Sequence, residues 1–333
     1  MGINAEDSVK RLPKFSEYTF NLQQIGDLLN ISRSSLYRYL EEEGVEGKVK
    51  KAGASKKFYD WDDYYRVSKK VREKIKKPEK KIKAYINKKG GVGKTSLTSQ
   101  TAMKAACLGL KVLVIDVDPQ GHTTLALGVD NCPGAFPTLK EFFEKKCKIR
   151  DLIIDICPLL SVIPSNTLLD DIELALRSDF GGTHFLKRAI KDLCKDYDVV
   201  FIDTNPSMSW LTLNAIISAD ELCVVTETQL YSIDGLRDVF ETLSKLEDRF
   251  PDFAPSIRII PNKYQFRQVS SQESMGHLRD NYGDILTKTI IRENADLKNA
   301  QKDMQAVFIS HKKSTAAADI ADLVNELLDD HTV

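Results

Sequence analysis

No C-x-x-C pair occurs in this chain, and its six cysteines stand apart at positions 107, 132, 147, 157, 194 and 223. That scatter argues against a disulfide framework, a zinc knuckle or a thiolate-held cluster. No stretch approaches the ~20 apolar residues that a membrane-spanning helix needs. The start, Met1 to Asp7, has no apolar signal core, and Glu6 stands where a myristoylation signal has Ser or Thr. A cytoplasmic location and no membrane partner are the expectations. Low apolar content is not among the deficits: 42% of the 333 residues are apolar, which excludes a fully disordered chain. At ~100–200 residues per domain the length suits about two domains.

Net charge is also missing, with 48 basic side chains against 48 acidic ones. The balance is uneven along the chain. Residues 1–68 carry 11 of each sign, and residues 84–333 carry 28 basic against 35 acidic. Between them, residues 69–83 hold 9 basic and 2 acidic side chains, a local excess of +7. Such a strap suits either a polyanion or a solvated linker. Pro78 stops any helix arriving from Val67, which puts a boundary near residues 76–83. The expected division is a small domain over 1–68, a basic linker over 69–83 and a large domain over 84–333.

Beyond the linker, short β-branched runs alternate with amphipathic stretches. The runs are Ile82–Ile86, Val112–Ile115, Val199–Ile202, Leu222–Val225 and Ile257–Ile260. They suit parallel strands covered on both faces. Helical stretches are expected at Ser96–Leu108, Gly182–Lys195, Ser209–Ile217, Gly235–Arg249, Glu273–Tyr282 and Thr315–Leu328. The pattern predicts one doubly wound, parallel-sheet α/β domain.

The first strand runs into Asn87-Lys88-Lys89-Gly90-Gly91-Val92-Gly93-Lys94-Thr95-Ser96 and then a helix. Glycines let backbone N–H groups converge on a phosphate, and the helix N-terminus adds its dipole. Lys94 is expected to reach the β- and γ-phosphates, and the Thr95 hydroxyl to bind Mg²⁺. Asp116, Asp118 and Asp203 follow apolar strands, where doubly wound folds place ligands. Asp116 and Asp203 are the expected metal carboxylates, acting through the ion's water shell.

Lys89 is the distinctive residue. The K-G-G-x-G-K-[ST] arrangement at Lys89–Thr95 resembles the deviant Walker A motif of the ParA/MinD family of P-loop ATPases. The resemblance covers most of residues 82–328. Asp116-Val117-Asp118-Pro119-Gln120-Gly121 resembles the D-x-D-P-Q-G element of ParA proteins, and Tyr197–Thr204 their Walker B strand. Asn214-Ala215-Ile216 with Ala219-Asp220, and Tyr231 to Leu236, are similar to later family segments. Asn205-Pro206-Ser207 departs from the pattern, which usually has a second proline or alanine there.

The resemblance implies an Mg-dependent ATPase with slow intrinsic turnover, which binds ATP and ADP. It implies that Lys89 crosses a nucleotide-sandwich homodimer to the partner's nucleotide, and that Asp118 orients the attacking water. Pro261 and Asn262 are then expected near the adenine. Non-specific DNA, a ParB-like centromere-binding protein and a nucleoid-associated location also follow from it. Lys298, Lys302, Lys312 and Lys313 are candidates for the DNA face, or simply a solvated lysine surface.

Residues 18–40 have helix-turn-helix periodicity. Leu22, Ile25, Leu28 and Leu29 share a face, Ser32 can cap a second helix, and Leu36, Tyr39 and Leu40 return to the core. Arg33, Ser34, Ser35, Tyr37 and Arg38 are left for base edges and phosphates. Gly47–Lys57, with five lysines including Lys56 and Lys57, reads as a wing whose cations grip phosphate. The arrangement is similar to the MerR-type winged helix-turn-helix and to the N-terminal extension of larger plasmid or phage ParA proteins. That likeness implies operator binding and repression of the chain's own operon. The plainer alternative is a small helical bundle used for dimerisation.

Three rival functions follow from the same fold. A MinD-like membrane positioner predicts a basic amphipathic end, whereas Glu326–Val333 is acidic. A reductase or cluster carrier needs paired cysteines. An ATPase that positions a protein cargo, or acts mainly as a regulator, fits as well as partition of DNA does.

Overall fold

The computed structural model describes residues 14–49, 56–73, 82–178, 184–229 and 232–328. It begins with two helices, α1 (Leu22–Leu29) and α2 (Arg33–Glu42). Asn21 caps α1 by accepting the Gln24 N–H, and Gln24 returns a bond to the Asn21 N–H. Asn30 ends it in the left-handed region at φ 53°, a conformation asparagine tolerates. Ser32 then caps α2 through the Ser35 N–H at 3.2 Å. A two-stranded antiparallel ribbon follows, β1 (Lys48–Val49) and β2 (Lys57–Phe58), and then α3 (Trp61–Arg72), capped by Asp60.

The remainder is a seven-stranded sheet with helices on both faces. Its strands are β3 (Ile82–Ile86), β4 (Val112–Asp116), β5 (Ile154–Cys157), β6 (Leu160–Ile163), β7 (Val199–Asp203), β8 (Glu221–Glu227) and β9 (Ser256–Asn262). The spatial order is β5-β6-β4-β7-β3-β8-β9. All five expected strands are present and parallel. The expectation of a purely parallel sheet is corrected at one edge, where β5 runs antiparallel to β6. The β5–β6 hairpin is too short for a crossover helix, so the chain must reverse. Its polar members pair with each other, Ser161 Oγ donating to Asp155 at 2.7 Å.

The helices are α4 (Lys94–Cys107), α5 (His122–Ala126), α6 (Leu139–Phe143), α7 (Ile172–Ser178), α8 (Phe185–Ile190), α9 (Trp210–Ser218), α10 (Ser232–Arg249), α11 (Val269–Tyr282), α12 (Ala295–Lys302), α13 (Val307–Ser310) and α14 (Thr315–Leu327). Alternate strand residues feed two cores. Ala84, Ile86, Leu113, Ile115, Val200 and Ile202 pack toward α9 and α10. Tyr85, Val112, Val114, Val199 and Phe201 pack toward α4 and α14.

The N-terminal elements share that second core. Phe15, Phe20, Trp61 and Tyr64 form an aromatic group continuous with Met103 and Cys107 of α4. Tyr64 donates its hydroxyl hydrogen to the Cys107 carbonyl, and the Phe15 N–H bonds the Met304 carbonyl at 3.3 Å. Arg72 pairs with the buried Asp198 at 3.3 Å.

The basic stretch 69–83 is partly built into these elements. Lys69, Lys70 and Arg72 end α3, where cations complement the helix dipole. Lys69 lies over the Tyr65 ring, and Lys70 sits 3.7 Å from Glu43. Lys83 belongs to β3 and is buried against Glu221. Pro78 and the rest of 74–81 lie outside the described residues, as do residues 50–55 of the expected wing. Among the described residues no helix is long and apolar enough to cross a membrane.

Candidate functional site

The loop between β3 and α4 crosses the C-terminal end of the sheet. Gly91 and Gly93 take positive φ, 76° and 103°, conformations that side chains resist. Gly93 also has no room for one, since a Cβ there would lie 2.2 Å from Asn262 Nδ2. The loop edges a cleft of about 400 Å³, lined by Gly90, Gly91, Gly93, Lys94, Thr95, Ser96, Asp118, Gln120, His122, Thr204, Pro206 and Gln301. Val92 points inward and is buried.

Lys94 is 6% exposed, and its ammonium donates to the Asn87 carbonyl at 3.2 Å. No carboxylate forms an ion pair with it among the described residues. Burial lowers its pKa, while Asp203 and Asp118 act in the opposite direction. A cation so placed favours an arriving anion.

Beneath the cleft, Asp116 and Asp203 stand in register on β4 and β7, both wholly buried. Asp203 accepts hydroxyl hydrogens from Thr95 and Thr123, each at 2.7 Å, and from Thr98 at 3.3 Å. Burial, with Asp118 adding to it, pushes its carboxyl up to about 6. Asp116 accepts from the Thr124 N–H at 2.8 Å, the Thr124 hydroxyl at 2.7 Å and the Asp118 N–H at 3.1 Å. Burial and the neighbouring Asp203 push its carboxyl well up. Asp118 reaches the cleft, one oxygen accepting the Gln120 N–H at 3.0 Å.

Lys89 lies at the loop's outer edge, with Nζ 2.7 Å from Glu227. Ser96 donates to the Gln301 side chain. Asn262 reaches the phosphate loop, donating to the Val92 carbonyl at 2.6 Å. Pro261 sits in β9 opposite Thr226, and its carbonyl accepts the Ile291 N–H at 2.9 Å. Several neighbours escape sequence reasoning: Asn87, Thr123, Thr124, Glu227, Lys263 and Gln301. Of these, only the Thr123-Thr124 pair after the D-x-D-P-Q-G element carried a local signal.

A second surface lies on the N-terminal elements. Arg33, Ser34, Tyr37 and Arg38 are exposed on α2, and Ser35 is half-buried. Arg33 donates to the Tyr37 hydroxyl at 3.2 Å, and Arg38 sits 3.8 Å from Glu42. Lys56 and Lys57 are exposed and line one groove with Arg33, so ribbon and helix pair face the same space. Lys298, Lys302, Lys312 and Lys313 are exposed on the C-terminal part of the chain, with Lys298 3.2 Å from Glu293.

Known proteins share this architecture. The profile of a family described as an AAA domain matches residues 80–259. The cell division protein PomZ of Myxococcus xanthus is 33% identical over 245 residues, covering 73% of this chain and 76% of PomZ. The chromosome-partitioning ATPase Soj of Thermus thermophilus is 31% identical over 219 residues, covering 65% of this chain and 83% of Soj. Among solved structures, an ATP complex of Cyanothece McdA superposes with a TM-score of 0.69 at 23% identity, covering 77% of this chain and 99% of McdA. This chain is therefore a member of the ParA/MinD family of P-loop ATPases.

Proposed function

We propose that this protein is an ATP-driven DNA-partition switch of the larger ParA type. The observation that carries the reading is Lys94, a nearly buried ammonium set on a carbonyl at the rim of a glycine-built cradle. Phosphate oxygens supply the anion it lacks.

The donors around it suit magnesium. Thr95, Asp116 and Asp203 offer hard oxygens, and the raised carboxyl of Asp203 is one that a nearby cation would return to its ionised form. When bound, the metal neutralises charge on the β- and γ-phosphates. Lys94 and the loop N–H groups hold those phosphates, and Thr95 and Asp203 face the ion or its water. Asp118, at the cleft wall, orients the attacking water. Asp116, in register with Asp203, stays the second carboxylate for the ion's water shell, and it also positions Thr124 and the Asp118 backbone. Asn262 braces the loop, and Pro261 stays the candidate nearest the base.

In this reading ATP closes two chains into a sandwich dimer, with Lys89 of each reaching the other's nucleotide. The dimer binds DNA without sequence preference, and a ParB-like protein stimulates slow hydrolysis and release. The helix pair and ribbon form a winged helix-turn-helix that reads an operator through Arg33, Ser34, Ser35, Tyr37, Arg38, Lys56 and Lys57. A second reading, placement of a protein cargo or division apparatus, is favoured by the 33% identity to a cell division protein.

Binding to random-sequence duplex DNA with ATP, ADP or no nucleotide, across a salt series, separates these readings. Partition predicts tight, strongly salt-dependent binding with ATP alone. Binding indifferent to nucleotide sinks the proposed DNA switch and hands the lead to a regulator.

A further inference from the structure

Glu227 ends β8 directly opposite Asn262, which ends β9. Its carboxylate is divided between two lysines from distant parts of the chain. One oxygen accepts from Lys89 Nζ at 2.7 Å, and the other from Lys263 Nζ at 2.6 Å. Lys263 also donates to the Gly91 carbonyl at 2.6 Å, beside the bond from Asn262 to Val92. The paired ends of β8 and β9 thus grip the phosphate loop at Lys89, Gly91 and Val92. Backbone geometry holds the grip in place, since Lys263 sits at φ 56° with its N–H on Asn262 Oδ1 at 2.8 Å.

Exposure shows which partner can leave. The Glu227 side chain is 9% exposed, whereas those of Lys89 and Lys263 are 37% and 31% exposed. Glu227 cannot swing out to water, but either lysine can. A buried carboxylate stripped of every cation is costly, so a lone Glu227–Lys89 pair would be hard to open. With Lys263 in place, Glu227 stays paired when Lys89 departs. Lys89 at full reach toward another chain's phosphates cannot also hold Glu227.

We propose that Glu227 is a restraint on Lys89: it folds the lysine against its own phosphate loop until nucleotide and a second chain compete it away, and Lys263 keeps Glu227 neutralised once it has gone. The restraint rests on the sandwich-dimer reading above. It sets the protein concentration at which ATP produces dimers, and so makes Glu227 a positioning residue.

Glu227→Gln keeps the shape and the contact to Lys263 while removing the charge that retains Lys89. Sedimentation with ATP and Mg²⁺ should show the variant dimerising at about 5-fold lower protein concentration, the scale of a partly exposed ion pair. In a Lys89→Ala background the same substitution should change nothing. A second measurement needs no dimer: acetylation of nucleotide-free protein, read by mass spectrometry. Lys89 should react several-fold faster in Glu227→Gln, with Lys88 as the internal control. A wild-type dimer with no shift in the variant, or a weaker variant dimer, would overturn the restraint alone, as would unchanged Lys89 acetylation. No ATP-dependent dimer from either protein would overturn the sandwich reading and the restraint together.

Discussion

Lys83 of β3 and Glu221 of β8 form an ion pair in which neither side chain reaches solvent. The two residues are in register on neighbouring strands, and Arg258 of β9 donates Nε–H to the other Glu221 oxygen at 2.6 Å. Three adjacent strands are thereby tied at the end of the sheet opposite the cleft. Burial alone would raise the Glu221 carboxyl, but Lys83 and Arg258 hold it below its ordinary value of 4.5.

Glu221→Gln should therefore lower unfolding free energy by about 3–5 kcal/mol, because it leaves Lys83 buried with no carboxylate. Urea unfolding measures the loss. The pH dependence has a definite sign, since a depressed carboxylate stabilises the fold above its unfolded pKa. The contribution is complete at neutral pH and disappears as pH falls from about 4.5 through the lower folded value. In that window the wild type should lose more stability than the variant. Equal acid sensitivity would show that Glu221 is not the ionised partner of Lys83.

Lys83 also shows where sequence reading stops. Its run, Ile82–Ile86, reads as a covered strand while the lysine itself counts in the basic strap, and only Glu221, 138 residues later, shows what lets the charge be buried there. The strands β3, β4, β7, β8 and β9 are legible because β-branched runs covered on both faces have no competing pattern. The β5–β6 hairpin is not, because Asp155 and Pro158 break its apolar run into pieces too short to read. The phosphate loop is legible because glycine and lysine spacing is itself the chemistry. Its braces are not: Asn262 meets Val92 across 170 residues, and nothing local to either position signals the contact.

Lys94→Met tests the buried ammonium while keeping the side-chain stem. Loss of a charge-assisted contact to phosphate should weaken ATP binding by about 10–150-fold. Stability of the nucleotide-free protein should hold or rise, because the lost charge was desolvated without a carboxylate partner. Nucleotide titration and thermal unfolding on the same sample check both halves. Destabilisation without nucleotide would mean that Lys94 is a structural cation.

Arg33→Ala with Arg38→Ala tests whether the chain has two separate DNA surfaces. Both residues are exposed on α2 and pack in neither core, so the fold should survive. Selection of operator fragments should be lost, at about 1–3 kcal/mol for each arginine that reads a base. ATP-dependent binding to random duplex should stay nearly unchanged. Competition binding with both DNA types gives the comparison, and an equal fall in the two activities would refute the separation.

Gly93→Ala tests the cradle itself, and two effects can be told apart. One is collision, because the added Cβ falls 2.2 Å from Asn262 Nδ2. The other is strain, because φ of 103° lies where an alanine is unfavourable whatever the space around it. The single variant should bind ATP about 10-fold or more weakly, given a strain of about 1–3 kcal/mol with the collision added. Combining it with Asn262→Ala removes the collision and leaves the strain, so nucleotide titration should show partial recovery. Full recovery would assign the whole effect to Asn262, and no recovery would assign it to backbone conformation. Wild-type affinity in Gly93→Ala would mean that the loop does not hold phosphate in this conformation.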